Sequence, residues 1–188
     1  MIKDIICEGL DRTGKGTQIS NLWTYFNRDN SDGCNIIRGD KMQSTVVEDT
    51  SHHKFLYQNS ITQSFRNMKM FRDNNIQGVR LYDRLHLSEV VYGSEYRGYH
   101  TDHIFDIEQD FISGLKDVYL LLFIDEVDNL VKRDDGLGFT SDPEQIKNEK
   151  DIFLYAYDES CIENKVVINI ANKNIEQVFY EILEFLGE

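Results

Sequence analysis

The apolar run Asp4-Ile5-Ile6-Cys7-Glu8 leads straight into Gly9-Leu10-Asp11-Arg12-Thr13-Gly14-Lys15-Gly16-Thr17-Gln18. Behind it, Ile19, Leu22, Trp23 and Phe26 fall at i, i+3, i+4 and i+7, one face of a helix. A buried strand, a glycine-rich turn and a helix in that order leave few folds open. Such a turn points consecutive backbone N–H groups into one small concave space, backed by the positive end of the helix, which suits a polyphosphate. Gly9, Gly14 and Lys15 hold the fixed places of the nucleotide-binding spacing G-x-x-x-x-G-K-S/T, while the hydroxyl place carries Gly16, with Thr17 one position late. Lys15 supplies a point charge to the β- and γ-phosphates. Thr17 is the nearest hydroxyl for Mg²⁺ or its water shell.

The rest of the chain alternates strand and helix, the pattern of a mostly parallel sheet covered on both faces. Strands are predicted at 4–8, 34–38, 79–83, 117–124 and 165–170. Helices are predicted at 15–28, from about Val46 to Asn74, at 85–93, 102–114, 126–132 and 143–160, and over a last segment carrying Ile175, Val178, Phe179, Ile182 and Leu186 on one face. The predicted fold is α/β, a three-layer P-loop NTPase fold with a five-stranded sheet. In such a sheet ligands gather at the carboxyl ends of the strands. That end holds Glu8–Lys15, Arg38–Lys41, Asp83-Arg84 and Asp125.

At 188 residues the chain reads as one domain. A net charge of −13 disfavours a nucleic-acid polymer or an anionic membrane as partner, though not a nucleotide in a locally basic pocket. No stretch approaches the ~20 apolar residues of a membrane span. Cys7, Cys34 and Cys161 form neither a disulfide framework nor a zinc pattern, which fits a reducing cytoplasm. His52-His53 and His100-x-x-His103 lack the cysteine or carboxylate that would complete a metal-ligand set.

With these groups assembled, the chain resembles the thymidylate kinase family of P-loop nucleoside monophosphate kinases. Glu8–Gln18 is similar to that family's E-G-x-D-R-x-G-K-x-T-Q loop, Tyr82-Asp83-Arg84-Leu85-His86-Leu87-Ser88 to its D-R-Y/H motif, and Leu122–Arg133 to its fourth strand and the approach to its lid. The resemblance implies ATP and Mg²⁺ as cofactors, small-molecule nucleotides as partners and a homodimer. It makes Asp11 the partner of the deoxyribose 3′-hydroxyl, Arg12 a bridge between donor and acceptor phosphates, and Arg84 the grip on the acceptor monophosphate. Asp83 acts with the magnesium shell or orients Arg84. ATP is expected on Gly9, Asp11, Arg12, Thr13, Gly14, Lys15, Gly16 and Thr17. The acceptor is expected on Asp11, Arg38, Lys41, Gln63, Phe65, Arg84, Tyr92 and Arg97, with metal contacts from Thr17 and Asp83. The family's base-reading arginine is missing ahead of Asp83, leaving Gln63 to read the base and Phe65 to stack on it.

Phosphoryl transfer spreads charge over equatorial oxygens, so cations and Mg²⁺ do most of the catalysis. A monophosphate oxygen is already a nucleophile, whereas a free 5′-hydroxyl needs a base. A deoxynucleoside kinase using Glu8 as that base is therefore the rival enzyme reading. A P-loop protein that binds ATP without chemistry is the rival outside enzymes. The glycine-containing polar segment at about 133–142 is predicted to be a lid, with Arg133 reaching the phosphates on closure.

Overall fold

A computed structural model of the chain describes residues 2–28, 33–38, 50–134, 136, 138 and 140–188. Five strands, β1 (Ile2–Gly9), β2 (Cys34–Arg38), β3 (Gly78–Asp83), β4 (Val118–Ile124) and β5 (Asn164–Asn169), form one sheet in the order β2-β3-β1-β4-β5, and every neighbouring pair is parallel. Between them run α1 (Lys15–Phe26), α2 (Thr50–Asp73), α3 (His86–Arg97), α4 (His103–Ile112), α5 (Val127–Lys132), α6 (Pro143–Glu159) and α7 (Ile175–Leu186). The expected three-layer α/β architecture is the one found. α2 begins within the region predicted as helical, whose residues 46–49 lie outside the described part. α3 runs four residues beyond its predicted end, to Arg97.

β1 and β4 are buried on both faces because helices cover both sides of the sheet. On one side α1 and α7 bring Ile19, Leu22, Val178 and Ile182 against Ile5, Leu81 and Phe123. On the other, α2, α3, α4 and α6 bring Phe65, Leu87, Ile104 and Phe153 against Ile6, Tyr82, Leu120 and Leu122. Local signals set the helix ends. Asn174 and Gln177 close a reciprocal capping box on α7 at 2.9 Å each way, and Asp142 caps α6 ahead of Pro143. Among the described residues no helix is long and apolar enough to cross a membrane.

β1 sits between β3 and β4, and the chain departs in opposite directions from that point. This is where a parallel sheet opens a crevice at its carboxyl end. At the amino end of the same strands lies a closed ionic cluster. Asp4, fully buried, takes Arg80 through Nε at 2.6 Å and Nη2 at 3.0 Å, accepts the Tyr82 hydroxyl at 3.0 Å, and pairs with Arg72.

Candidate active site

Gly9 ends β1 with φ of 124°, and a Cβ there would lie 2.1 Å from the Phe123 carbonyl oxygen of β4, so the loop turns where only glycine fits. Gly14, at φ 73°, closes the turn and hands over to α1. Within the loop, the Thr13 hydroxyl donates to the Leu10 carbonyl at 2.8 Å. Lys15 folds back over it, donating to the Gly9 carbonyl at 3.0 Å and the Leu10 carbonyl at 2.8 Å. Burial, and next the nearby Arg84 charge, push its ammonium down to about 7. Gly16 and Thr17 are exposed in the first turn of α1.

Arg84 joins this loop to α3. It follows β3 in a left-handed conformation, φ 68°, rare for a residue with a side chain, with its N–H on the Cys7 carbonyl at 3.0 Å. Its Nη1 reaches the Gly9 carbonyl at 3.0 Å, the Ser88 hydroxyl at 3.1 Å and the Tyr92 hydroxyl at 3.0 Å, while Nη2 pairs with Asp11. The guanidinium also lies over the Tyr92 ring, 5.2 Å from its centre. Asp11, Lys15, Arg84 and Tyr92, named from the sequence, are thus one assembly. Asp83, half-buried, makes no side-chain hydrogen bond among the described residues, and its charge acts on Lys15.

Glu8 explains why Arg84 is so placed. It is fully buried, and its Oε1 accepts the backbone N–H groups of Leu85 at 2.8 Å and Leu87 at 2.9 Å, while Ser88 donates to Oε2. A carboxylate from β1 therefore caps α3, whose own N-cap residue, Leu85, offers no side-chain bond. Nothing in the sequence marks this pairing across 77 residues.

The segment after α5 approaches the loop from the other side. Arg12, also left-handed at φ 64°, pairs with Asp134 at 2.7 Å and donates from Nη2 to the Thr140 carbonyl at 3.0 Å and from Nη1 to the Leu130 carbonyl at 3.4 Å. A side chain at position 138 would strike Arg12, since a Cβ on Gly138 would sit 2.5 Å from its Nη2. Arg133 bonds to the Asp125 carboxylate at 2.7 Å and the Arg12 carbonyl at 3.3 Å. Asp125 holds the start of α5 as well, accepting from the Glu126 N–H at 2.7 Å and the Asn129 amide at 3.0 Å. A small cleft open to solvent lies between loop, α5 and α6, lined by Asp11, Arg12, Leu130, Thr140, Ile146 and Glu149. Glu149, missed in the sequence, is buried there and takes the Tyr96 hydroxyl. Burial raises its pKa.

Two expected acceptor contacts are corrected. Phe65 is 0% exposed, packed edge-on against His86 at 5.3 Å in the core beneath the sheet, so no base stacks on it. Its spacing from Ile61 and Met68 is the core period of α2. Gln63 points away to solvent and donates to Asn67 at 2.9 Å. Arg97, at the end of α3, is paired with Glu89 and stacked over Tyr57. Lys41 lies outside the described residues, and so does the side chain of Arg38, whose backbone ends β2 opposite Asp83.

No protein-family model matches the chain, and no curated protein matches it in sequence. Solved structures do match its fold along nearly its whole length. A thymidylate kinase from Candida albicans aligns with a TM-score of 0.70 at 17% identity, covering 98% of this chain and 91% of the other. A thymidylate kinase from Ehrlichia chaffeensis gives 0.69 at 16% identity, covering 98% of each. The YorR protein of Bacillus subtilis, solved in complex with phosphorylated GDP, gives 0.70 at 15% identity, covering 98% and 96%. The chain has the fold of these proteins.

Proposed function

We propose that the protein is an ATP-dependent nucleoside monophosphate kinase, taking a deoxynucleoside monophosphate, thymidylate foremost, to the diphosphate. One observation carries this reading. Lys15 and Arg84 both donate to the Gly9 carbonyl of the glycine-rich loop, while Glu8, the nearest candidate base, is spent on the N-terminus of α3. Such a site supplies positive charge, and the carboxylate that the rival reading needs as its base is already engaged. It suits an acceptor whose attacking oxygen is already ionised.

The residues divide the work. Backbone N–H groups of the loop and the Lys15 ammonium hold the donor's β- and γ-phosphates, taking over from the carbonyls that Lys15 now uses. Arg84 releases the Gly9 carbonyl and holds the acceptor phosphate in line, while Asp11 and Tyr92 keep its guanidinium oriented and face the sugar. Arg12, freed from Asp134, neutralises charge between the two phosphates. A phosphate oxygen is a stronger acceptor than the carbonyls these cations now use. Mg²⁺, when bound, would supply positive charge to the phosphates of the donor. It takes oxygen ligands and keeps several waters, and the Asp83 carboxylate, which makes no side-chain hydrogen bond among the described residues, and the exposed Thr17 hydroxyl would hold it. The similar folds include two thymidylate kinases and a protein bound to phosphorylated GDP, which supports a nucleotide acceptor.

The test is ATP consumption with a panel of ribo- and deoxynucleoside monophosphates, with thymidine and thymidylate supplied separately. Turnover is expected with a monophosphate and absent with the nucleoside. Turnover of thymidine alone, or ATP binding that no acceptor accelerates, overturns the reading. Glu8→Gln is expected to keep activity within about tenfold, since an amide oxygen still accepts from the α3 N–H groups. A general base at this position would lose about 10²–10⁴-fold.

A further inference from the structure

Arg12 stands in the glycine-rich loop at φ 64°, a left-handed conformation disfavoured for any residue with a side chain, so neighbouring groups must hold it there. Its side chain reaches the Leu130 and Thr140 carbonyls and pairs with Asp134. Its backbone carbonyl has a separate partner, Arg133 Nη1, which donates to it at 3.3 Å. The same nitrogen lies 2.7 Å from Asp125 Oδ2. Asp125 directly follows β4. Its Oδ1 accepts from the Glu126 N–H and the Asn129 amide, and its carbonyl accepts from the Lys150 ammonium at 3.0 Å. Its Oδ2 makes no hydrogen bond, and Arg133 is the cation set against it.

The partner separates Arg133 from the other arginines of the site. Arg12 and Arg84 pair with Asp134 and Asp11, whose side chains are 33% and 37% exposed, so water can replace the arginine when it moves to a phosphate. The Asp125 side chain is 0% exposed. The Arg133 side chain is itself 46% exposed, so access alone does not decide its role. Moving it to a phosphate strands a buried carboxylate, the costly way to break an ion pair. We propose that Arg133 is a positioning residue, tethered by Asp125, which acts on the donor phosphates through the backbone of Arg12 and does not meet a phosphate itself. This rests on the monophosphate kinase reading and deepens it. An acid at the carboxyl end of β4 thereby fixes a turn in the loop that follows β1, and from that turn Arg12 reaches between the phosphates.

The two roles open to Arg133 give opposite signs at Asp125. If Arg133 positions Arg12, removing the Asp125 charge loosens the tether and weakens MgATP binding. If Arg133 is a phosphate ligand, the same change releases it and tightens binding. The experiment measures MgATP dissociation constants by calorimetry in the wild type, Arg133→Ala, Asp125→Asn, Arg12→Gly and the double variant Arg12→Gly/Arg133→Ala. Arg133→Ala and Asp125→Asn are each expected to weaken binding roughly tenfold, the scale of one hydrogen bond from a charged donor. Glycine at position 12 takes the left-handed turn unaided and carries no guanidinium, so in that background Arg133→Ala should cost less than about twofold. A full tenfold loss there, or tighter binding by Asp125→Asn, makes Arg133 a phosphate ligand and overturns the proposal. Unchanged binding in Arg133→Ala overturns it too. Should Asp125→Asn fail to fold, the cycle with Arg12→Gly decides alone. If MgATP binds but no monophosphate is phosphorylated, the kinase reading falls and the cycle still decides the role of Arg133, whereas a wild type that binds no MgATP removes both.

Discussion

The two ends of the sheet bury the same kinds of residue to opposite ends. At the amino end, Asp4 gathers Arg80, Arg72 and the Tyr82 hydroxyl, Arg72 Nη2 donates to the Asp117 carbonyl at 2.9 Å, and Arg80 stacks 4.3 Å over the Phe71 ring. Cations and carboxylate answer one another at close range, with no need of a further molecule. At the carboxyl end, Lys15 rests on two neutral carbonyls, and Arg12 and Arg84 divide themselves between carbonyls and the partly exposed Asp134 and Asp11. Those bonds are satisfied yet replaceable, since an ionised oxygen outcompetes a carbonyl for an ammonium or guanidinium. Arginine beside an acid makes scaffold where the partners close on each other, and a binding site where they stay open to exchange.

The sharpest break of that contrast removes a cation from the open end. Lys15→Ala or Arg84→Ala should lower turnover by about 10³-fold or more, the scale of a lost charge at a transferring phosphoryl group, while the chain still unfolds cooperatively. Near-normal rates in both variants would remove the assigned site. At the closed end the expectation reverses. Asp4→Asn should cost about 3–5 kcal/mol in urea unfolding by leaving Arg80 and Arg72 without their counter-charge, with kinetic constants of the folded fraction unchanged. A stable Asp4→Asn variant with damaged kinetics would show that the two ends are not separable.

Lys15 sharpens the comparison through pH. Its ammonium titrates near 7 because it is buried on neutral carbonyls beside Arg84, whereas bound phosphates favour the charged form. Above pH 7 the free protein carries a largely neutral lysine, so binding MgATP should take up close to one proton at pH 8 and almost none at pH 6. ATP affinity should weaken as pH rises through this range. Calorimetry in buffers of different ionisation enthalpy reads the proton count, and equal uptake at both pH values contradicts the assignment. The smallest effect belongs to Asp134→Asn. Loosening the pair that holds Arg12 should lower KM for ATP a few-fold with little change in kcat, and an unchanged or raised KM would make the pair a fixed support.

Much of the scaffold was legible because burial leaves periodic marks. The doubly buried run 118–124 and the one-sided face of α7 were read to within about a residue. The loop was legible too, since Gly9, Gly14 and Lys15 stand at a spacing that chemistry fixes, and strand ends gathered Asp11 and Arg84 beside it. What failed was side-chain direction on α2. Phe65 and Gln63 lie two positions apart, nearly opposite on a helix, so both could not face one base, and the period through Ile61 and Met68 had already committed Phe65 to the core. Glu8 was ambiguous for another reason. Its role depends on N–H groups that only tertiary structure brings to it, and the same holds for Glu149 with Tyr96.

The bond from Glu8 to the start of α3 has a further meaning for the proposed two-substrate reaction. It fastens the strand that leads into the glycine-rich loop to the start of the helix that follows Arg84, so loop and Arg84 are held at a fixed spacing. Such a joint acts as a gauge. On the kinase reading proposed above, a fixed spacing between loop and Arg84 selects acceptors by the length of their phosphate chain.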